Sequence, residues 1–183
     1  ELEQLQAHYM YIDDWDRGVE AEDNAALVSI PSVHDDSLAP SGHGVLHIYT
    51  PATEDFARWE QVKRGTKEYD QLKEERSQYL WQVLEKIIPD IRERARIVQV
   101  GTPLTHQRFL RRHRGSYGPA IVAGTDAPFP FPGTPVNGLL LCGDSCFPGI
   151  GVPAVAGSGI LAANSVDLSS VKPQLELLES LKS

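Results

Sequence analysis

The sequence predicts an α+β fold in which one long helix packs on a mostly antiparallel sheet. Two observations support this prediction. Short apolar runs end at acidic residues or prolines, which is typical of strands, and a single long segment carries apolar residues at three- and four-residue spacing. The chain has 183 residues, of which 41% are hydrophobic and 23% charged. This length and composition suffice for a buried core and exclude a disordered polypeptide.

Three strands are expected in the first third of the chain. Residues 8–12 are aromatic and apolar, residues 25–30 are apolar up to Pro31, and residues 45–50 alternate in character up to Pro51. Acidic residues or a proline close each run, because such residues interrupt strand pairing.

One long helix follows. Thr66 is a suitable N-cap and Pro89 ends the pattern. Its periodic positions are Tyr69, Leu72, Arg76, Leu80, Val83, Leu84 and Ile87. A short helix is expected at residues 89–95 and a strand at residues 97–100.

The last third combines loops with a strand and two helices. Residues 101–137 are rich in Gly and Pro and are expected to form loops. Residues 139–142 are predicted to be a buried strand, residues 151–166 a close-packed helix of small residues, and residues 168–183 a tail helix. The uncharged segment 145–166 contains prolines and glycines, which argue against a transmembrane helix.

Charge is unevenly distributed along the chain. The net charge is −8, and residues 1–60 hold 13 acids against two bases, which disfavours general nucleic-acid binding. Residues 91–115 hold seven arginines. Four of them, Arg108, Arg111, Arg112 and Arg114, could face phosphates of an anionic membrane, or could be solvated and ion-paired with the acidic segment.

The cysteines and histidines carry little catalytic signal. With Cys142 expected in a buried strand and Cys146 in a loop, redox function is disfavoured, and two cysteines exclude a disulfide scaffold or a structural zinc module. His106 and His113 lack partners at metal-ligand spacing, so no metal site is predicted. Most of the tryptophans and tyrosines are expected to pack in a core, although they could instead line an apolar tunnel.

The most informative segment joins the predicted strand 139–142 to the helix that follows. Gly143 permits close approach of a ligand to the backbone, and Asp144 could accept hydrogen bonds from sugar hydroxyls. Free N–H groups at the helix start, residues 151–154, favour negative charge. Residues 149–154 match G-x-G-x-x-A, but no second strand follows, so they are not the opening turn of a dinucleotide-binding unit.

This segment closely resembles the carotenoid isomerases (prolycopene isomerases), which are phytoene-desaturase-like flavoproteins. The specific motifs are TPLTHQRFLRR at residues 102–112 and GDSCFPGIGVPAVAGSG at residues 143–159. Further blocks in the same order, at residues 13–19, 29–51 and 56–81, extend the resemblance over nearly the whole chain. The family's N-terminal G-x-G-x-x-G unit does not precede residue 102, so the chain resembles only the C-terminal portion.

The resemblance implies two domains and a flavin site. Residues 1–136 correspond to a substrate-domain sheet with helices, and residues 137–183 to the C-terminal strand and helix of an FAD-binding, Rossmann-like domain. By the same resemblance, Gly143 and Asp144 contact the ribityl or pyrophosphate part of FAD. The loop formed by Gly151, Val152 and Pro153 then lies beside the isoalloxazine ring, where the positive helix end favours the anionic reduced flavin. No catalytic acid or base is identified.

The implied function is part of an isomerase that converts poly-cis-lycopene to all-trans-lycopene with reduced FAD, through a transient charged or radical polyene. Two alternatives stay open: a non-catalytic binding or scaffold subunit, such as one in a photosynthetic membrane complex, and a related carotene desaturase or reductase. The expected partners are the carotenoid, a peripheral membrane surface and a protein that supplies or replaces the N-terminal half; nucleic acid is not among them. The expected location is the plastid, at the thylakoid or envelope membrane, with the transit peptide outside this chain.

Overall fold

The computed structural model describes residues 4–51, 54–117 and 129–166, together with Glu176, Glu179 and Ser180 in the tail. The chain divides into two compact units, Glu1–Gly115 and Ser116–Ser183. The described residues contain both helices and a sheet.

The first unit contains a three-stranded antiparallel sheet in the order β1-β2-β3. Strand β1 spans His8–Ile12, β2 spans Ala25–Ser29, and β3 spans His47–Tyr49. All three predicted strands are confirmed, although β3 is shorter than its apolar pattern. Short 3₁₀ turns cover Trp15–Arg17, Pro31–Val33, Asp36–Leu38 and His113–Gly115.

The long helix packs on one face of this sheet. After the one-turn helix α1 (Ala57–Glu60), helix α2 runs from Lys67 to Ile87. The hydroxyl of its N-cap, Thr66, accepts the Tyr69 N–H at 3.3 Å, as the sequence predicts. The core consists of sheet residues and helix residues: Ala26, Val28, Ile30, Val83 and Leu84. Burying each larger aliphatic side chain contributes about 1.5–3 kcal/mol to the stability of the unit.

A cluster of charges also fixes α2 to the turn before β2. The Arg76 guanidinium donates two hydrogen bonds to Asp23, at 2.8 and 3.0 Å. Its Nε lies 2.6 Å from Glu54 Oε2 but outside hydrogen-bond alignment, so that attraction is mainly coulombic. A hydrogen bond from Arg58 lowers the pKa of Glu22, which also lies 3.1 Å from Arg76.

The segment after α2 agrees only in part with the sequence pattern. Helix α3 (Ile91–Arg94) confirms the short helix, but the strand predicted at residues 97–100 is wrong: the segment has no sheet partner among the described residues, and Ile97 is 85% exposed. Helix α4 (Pro103–Leu110) forms where loops were expected. A capping box between Thr102 and Thr105, together with Pro at the first helical position, begins this helix.

The second unit contains helix α5, Val152–Val166, which confirms the helix, but Ser158 is its only buried residue, so the expected close packing is wrong. The predicted buried strand at residues 139–142 is wrong. Among the described residues only Leu140 pairs, in a single bridge to Gly133, and Leu139 and Leu141 are half exposed. The predicted tail helix lies largely outside the described residues. Within the described ranges, no helix combines the length and the apolar character that a membrane span requires.

Candidate functional site

A part-buried hydrogen bond attaches the Gly-Asp turn to helix α5. The Gly143 N–H donates to the hydroxyl of Ser158 at 3.0 Å, and Ser158 is fully buried. The Gly143 carbonyl accepts the Cys146 N–H at 3.1 Å, which closes the turn. Asp144 is half-buried in this turn, and the Ser145 hydroxyl donates to its Oδ1 at 3.4 Å. The turn is therefore held against the helix about two turns beyond its start.

Glycines provide the backbone conformations at both ends of the connecting loop. Gly143 has φ +118° and Gly151 has φ +100°, values that side-chain-bearing residues rarely adopt. An ideal Cβ at either position would meet no atom within 4 Å, so the space beside both backbones is open. These two predicted site residues are thus accessible to a ligand.

The start of α5 presents unpaired backbone donors to its surroundings. The first hydrogen bond of the helix runs from the Val155 N–H to the Gly151 carbonyl at 2.9 Å. The N–H groups before Val155 have no acceptor within the helix, and Pro153 has no backbone N–H at all. Val152 is 84% exposed and Pro153 is also exposed, so the positive end of the helix dipole faces open space.

Three phenylalanines that the sequence analysis missed form an aromatic cluster in contact with the loop between Gly143 and Gly151. The rings of Phe131 and Phe147 stack with centroids 5.1 Å apart, and Phe129 meets Phe147 edge-on at 6.3 Å. The Phe147 N–H donates to the Pro130 carbonyl at 2.7 Å. Phe129 also lies where a Cβ on Gly149 would come within 3.1 Å of its ring. The phenylalanine spacing was visible in the sequence, but nothing indicated which rings would meet.

The cysteine expectations are met only in part. Cys142 is exposed because the segment that contains it is not a covered strand, whereas Cys146 lies in a loop, as expected, and is only 2% exposed. Within residues 4–51, 54–117 and 129–166, no three His, Cys, Asp or Glu side chains gather as a metal site would require.

The arginine-rich segment has both paired and exposed members. Arg114 forms an ion pair with Glu60 at 3.2 Å, which confirms for this residue the pairing with the acidic first part of the chain. Arg108, by contrast, lies on the exposed end of α4 with its guanidinium 5.6 Å from the ring of Phe109. The histidines of this segment, His106 and His113, gather no metal-ligand set with other described residues.

The tryptophans divide between core and surface. Trp59 is 1% exposed and packs edge-on against Tyr69, with ring centroids 6.3 Å apart, which confirms a core role for this residue. Trp81 is half-buried beneath the guanidinium of Arg92, whereas Trp15 is 77% exposed.

The open turn and helix start are compatible with the flavin implied by the resemblance. Bare glycine backbone admits a bulky group, the carboxylate of Asp144 can accept hydrogen bonds, and the helix dipole favours an anion. The described residues therefore fit the part of FAD assigned to them.

Comparison with known proteins gives specific relatives. The chain is 42% identical over 163 residues to "Prolycopene isomerase, chloroplastic" of Arabidopsis thaliana, and 40% identical over 163 residues to the protein of that name from Daucus carota. Each match covers 87% of this chain and 26% of the relative, so the chain spans about a quarter of their length. "All-trans-retinol 13,14-reductase" of Danio rerio is 36% identical over 66 residues, which is 34% of this chain and 11% of that protein. No family model matches the chain, and no solved structure matches it.

Proposed function

The chain is homologous to the prolycopene isomerases, as its motifs indicate, and we propose that it is the C-terminal part of a carotenoid cis-trans isomerase. The proposed reaction converts poly-cis-lycopene to all-trans-lycopene with reduced FAD. The observation that carries the proposal is the identity of 42% over 163 residues, which includes the Gly-Asp turn and the start of α5. The relatives' printed names describe them as chloroplastic, so the proposed location is the plastid.

In this proposal, residues 137–183 contribute the Gly-Asp turn and helix α5 to the FAD-binding domain. Asp144 accepts hydrogen bonds from ribityl or ribose hydroxyls, while the open backbone at Gly143 lets the cofactor approach closely. The loop Gly151, Val152 and Pro153 lies along the ring system, and the dipole of α5 stabilises negative charge there. When bound, reduced FAD supplies electron density that lowers the order of a polyene double bond, so that the bond can rotate without net oxidation.

Flavin retention tests the site directly. A carboxylate at the start of α5 would oppose an anionic cofactor, whereas a carboxylate at the other end of the same helix would not. We expect Val152→Glu to weaken flavin retention by the natural full-length protein at least about fivefold. The matched control is Val166→Glu, at a position 77% exposed at the far end of α5. Equal flavin content in both variants, measured by visible absorbance after desalting, would contradict the assigned site.

Product mass tests the reaction separately. The natural protein, reduced under anaerobic conditions, is incubated with poly-cis-lycopene, and the products are separated by chromatography with mass detection. An isomer of unchanged mass is expected. Gain of two hydrogens would instead favour a reductase, the alternative supported by the likeness to the retinol reductase. Loss of two hydrogens would favour a desaturase.

The scaffold alternative makes its own prediction for the natural protein. An intact mass near 20.2 kDa without flavin absorbance would support a non-catalytic binding subunit, and a much larger mass with flavin bands would support the isomerase.

Under the isomerase proposal, peripheral membrane association gives access to a carotene dissolved in the bilayer. A protein partner that supplies the N-terminal half also belongs to the isomerase proposal, whereas the scaffold alternative has no flavin half.

A further inference from the structure

We propose that the exposed end of helix α4 is a docking surface for an anionic lipid bilayer. The surface consists of residues 107–111 with the adjoining Arg64, and is called the arginine–phenylalanine tip below. It deepens the proposed function, since a carotene substrate would reside in such a bilayer. Vesicle binding nevertheless requires neither flavin nor carotene and can be tested alone.

The tip places two apolar side chains in solvent between guanidinium groups. Phe109 is 68% exposed and Leu110 is 54% exposed. The Arg64 guanidinium lies 5.4 Å from the centre of the Phe109 ring, and that of Arg108 lies 5.6 Å from it. Arg111 follows at the C-cap and is also exposed. Burying such a ring in the protein would be favourable, so its exposure beside the leucine marks an interaction surface.

Well-defined local structure holds the tip in this form. The capping box fixes the start of α4, and the buried Tyr69 hydroxyl hydrogen-bonds to the Thr102 hydroxyl at 3.0 Å. After the helix, Gly115 has φ +67°, and a Cβ there would come within 2.1 Å of the Pro103 carbonyl oxygen, so the chain turns back tightly against the helix start. Little ordering is therefore needed when the tip meets a surface.

The combination of side chains favours a bilayer over a purely polar anion. Arginines beside an anionic membrane contribute electrostatic attraction, and phenylalanine and leucine gain by entering the boundary between headgroups and acyl chains. Nucleic acid or a soluble phosphate would use the arginines but would leave Leu110 in water. The net charge of −8 opposes general adsorption to anionic lipid, so binding has to be local to a basic patch.

Vesicle co-sedimentation of the natural full-length protein that contains this chain tests the proposal. The probe is phosphatidylcholine vesicles with about 30% phosphatidylglycerol, compared with phosphatidylcholine alone at low and high salt. We expect binding only to the anionic vesicles. Arg108→Gln with Arg111→Gln should weaken it about 25-fold, from about fivefold for each arginine. The lysine versions of both substitutions should restore binding, because they keep the charge.

The apolar part is tested by Phe109→Ser with Leu110→Ser, which should weaken binding at least about tenfold. Both side chains are exposed, so the variant should keep the circular dichroism of the parent chain. Trp15→Ser is the matched control, since Trp15 is an exposed aromatic residue flanked by Asp14 and Asp16, and it should leave binding unchanged.

Three outcomes would overturn the proposal: equal binding to neutral vesicles, unchanged binding by the serine variant, or retention on single-stranded oligonucleotide without vesicle binding. Vesicle binding by a natural protein that fails to isomerise lycopene would refute the proposed function alone. Isomerase activity without vesicle binding would refute the docking surface alone.

Discussion

Replacing Ser158 with alanine removes a hydrogen-bond acceptor that links the Gly-Asp turn to helix α5. The hydroxyl of the fully buried Ser158 lies 3.0 Å from the N–H of the half-buried Gly143, so alanine leaves that donor without this partner. Because water can reach the donor, loss of this hydrogen bond should cost about 0.5–1.5 kcal/mol. We therefore expect the free energy of opening this turn to fall by that amount. Hydrogen exchange at the Gly143 amide should accelerate about 2- to 12-fold.

Ser165→Ala provides the matched control in the same helix. Ser165 is exposed, and its hydroxyl donates to the Leu161 carbonyl at 2.7 Å without reaching the turn. Its replacement should change stability by less than about 0.5 kcal/mol and leave exchange at Gly143 unaltered. Equal exchange rates at Gly143 in the two variants would refute the reasoning, since they would mean that Ser158 does not hold the turn.

Two further predictions concern the first unit. Arg76→Met leaves Glu54 and Asp23 without their main counter-charge, and it should lower the free energy of unfolding, measured in urea, by about 3 kcal/mol. Arg58→Met, at a position 44% exposed, should cost less than about 1 kcal/mol. Similar losses in the two variants would contradict a special role for Arg76. The buried Tyr79 hydroxyl has no hydrogen-bond partner among the described residues, so Tyr79→Phe should stabilise by up to about 1 kcal/mol. Burial also raises the pKa of Tyr79 to about 12, so its ionisation leaves the stability unchanged below about pH 10 and lowers it as pH rises towards 12. Ultraviolet titration of the parent chain should show a late-ionising tyrosine that is absent from the phenylalanine variant.

The sequence predicts elements well where the local signal is sufficient. Helix α2 has both periodicity and the Thr66 cap, and its bounds are confirmed. The two apolar segments at residues 97–100 and 139–142 are not strands, because strand formation depends on a neighbour with free backbone groups, which an apolar run does not reveal. Helix α4 was missed for a different reason. The surrounding prolines and glycines indicated loops, although the Thr102 capping signal was present in the sequence.

For the candidate site, the sequence indicates the backbone conformations but not the side-chain contacts. Glycine at positions 143 and 151 suggested backbone freedom, and both have positive φ. The small residues of α5 suggested close packing, but a Cβ at Gly157 would make only an ordinary contact, 3.4 Å from Pro148, and a Cβ at Gly159 would meet nothing within 4 Å. Ser158 is the one buried residue of Val152–Val166, so the expected close packing is wrong for most of this helix. Periodicity identifies a helix but not the face that meets a turn fifteen residues earlier, so the hydrogen bond to Gly143 required the structure. This contact matters most for the proposed site, since it fixes the turn that carries Asp144 relative to the helix whose dipole would hold the anion.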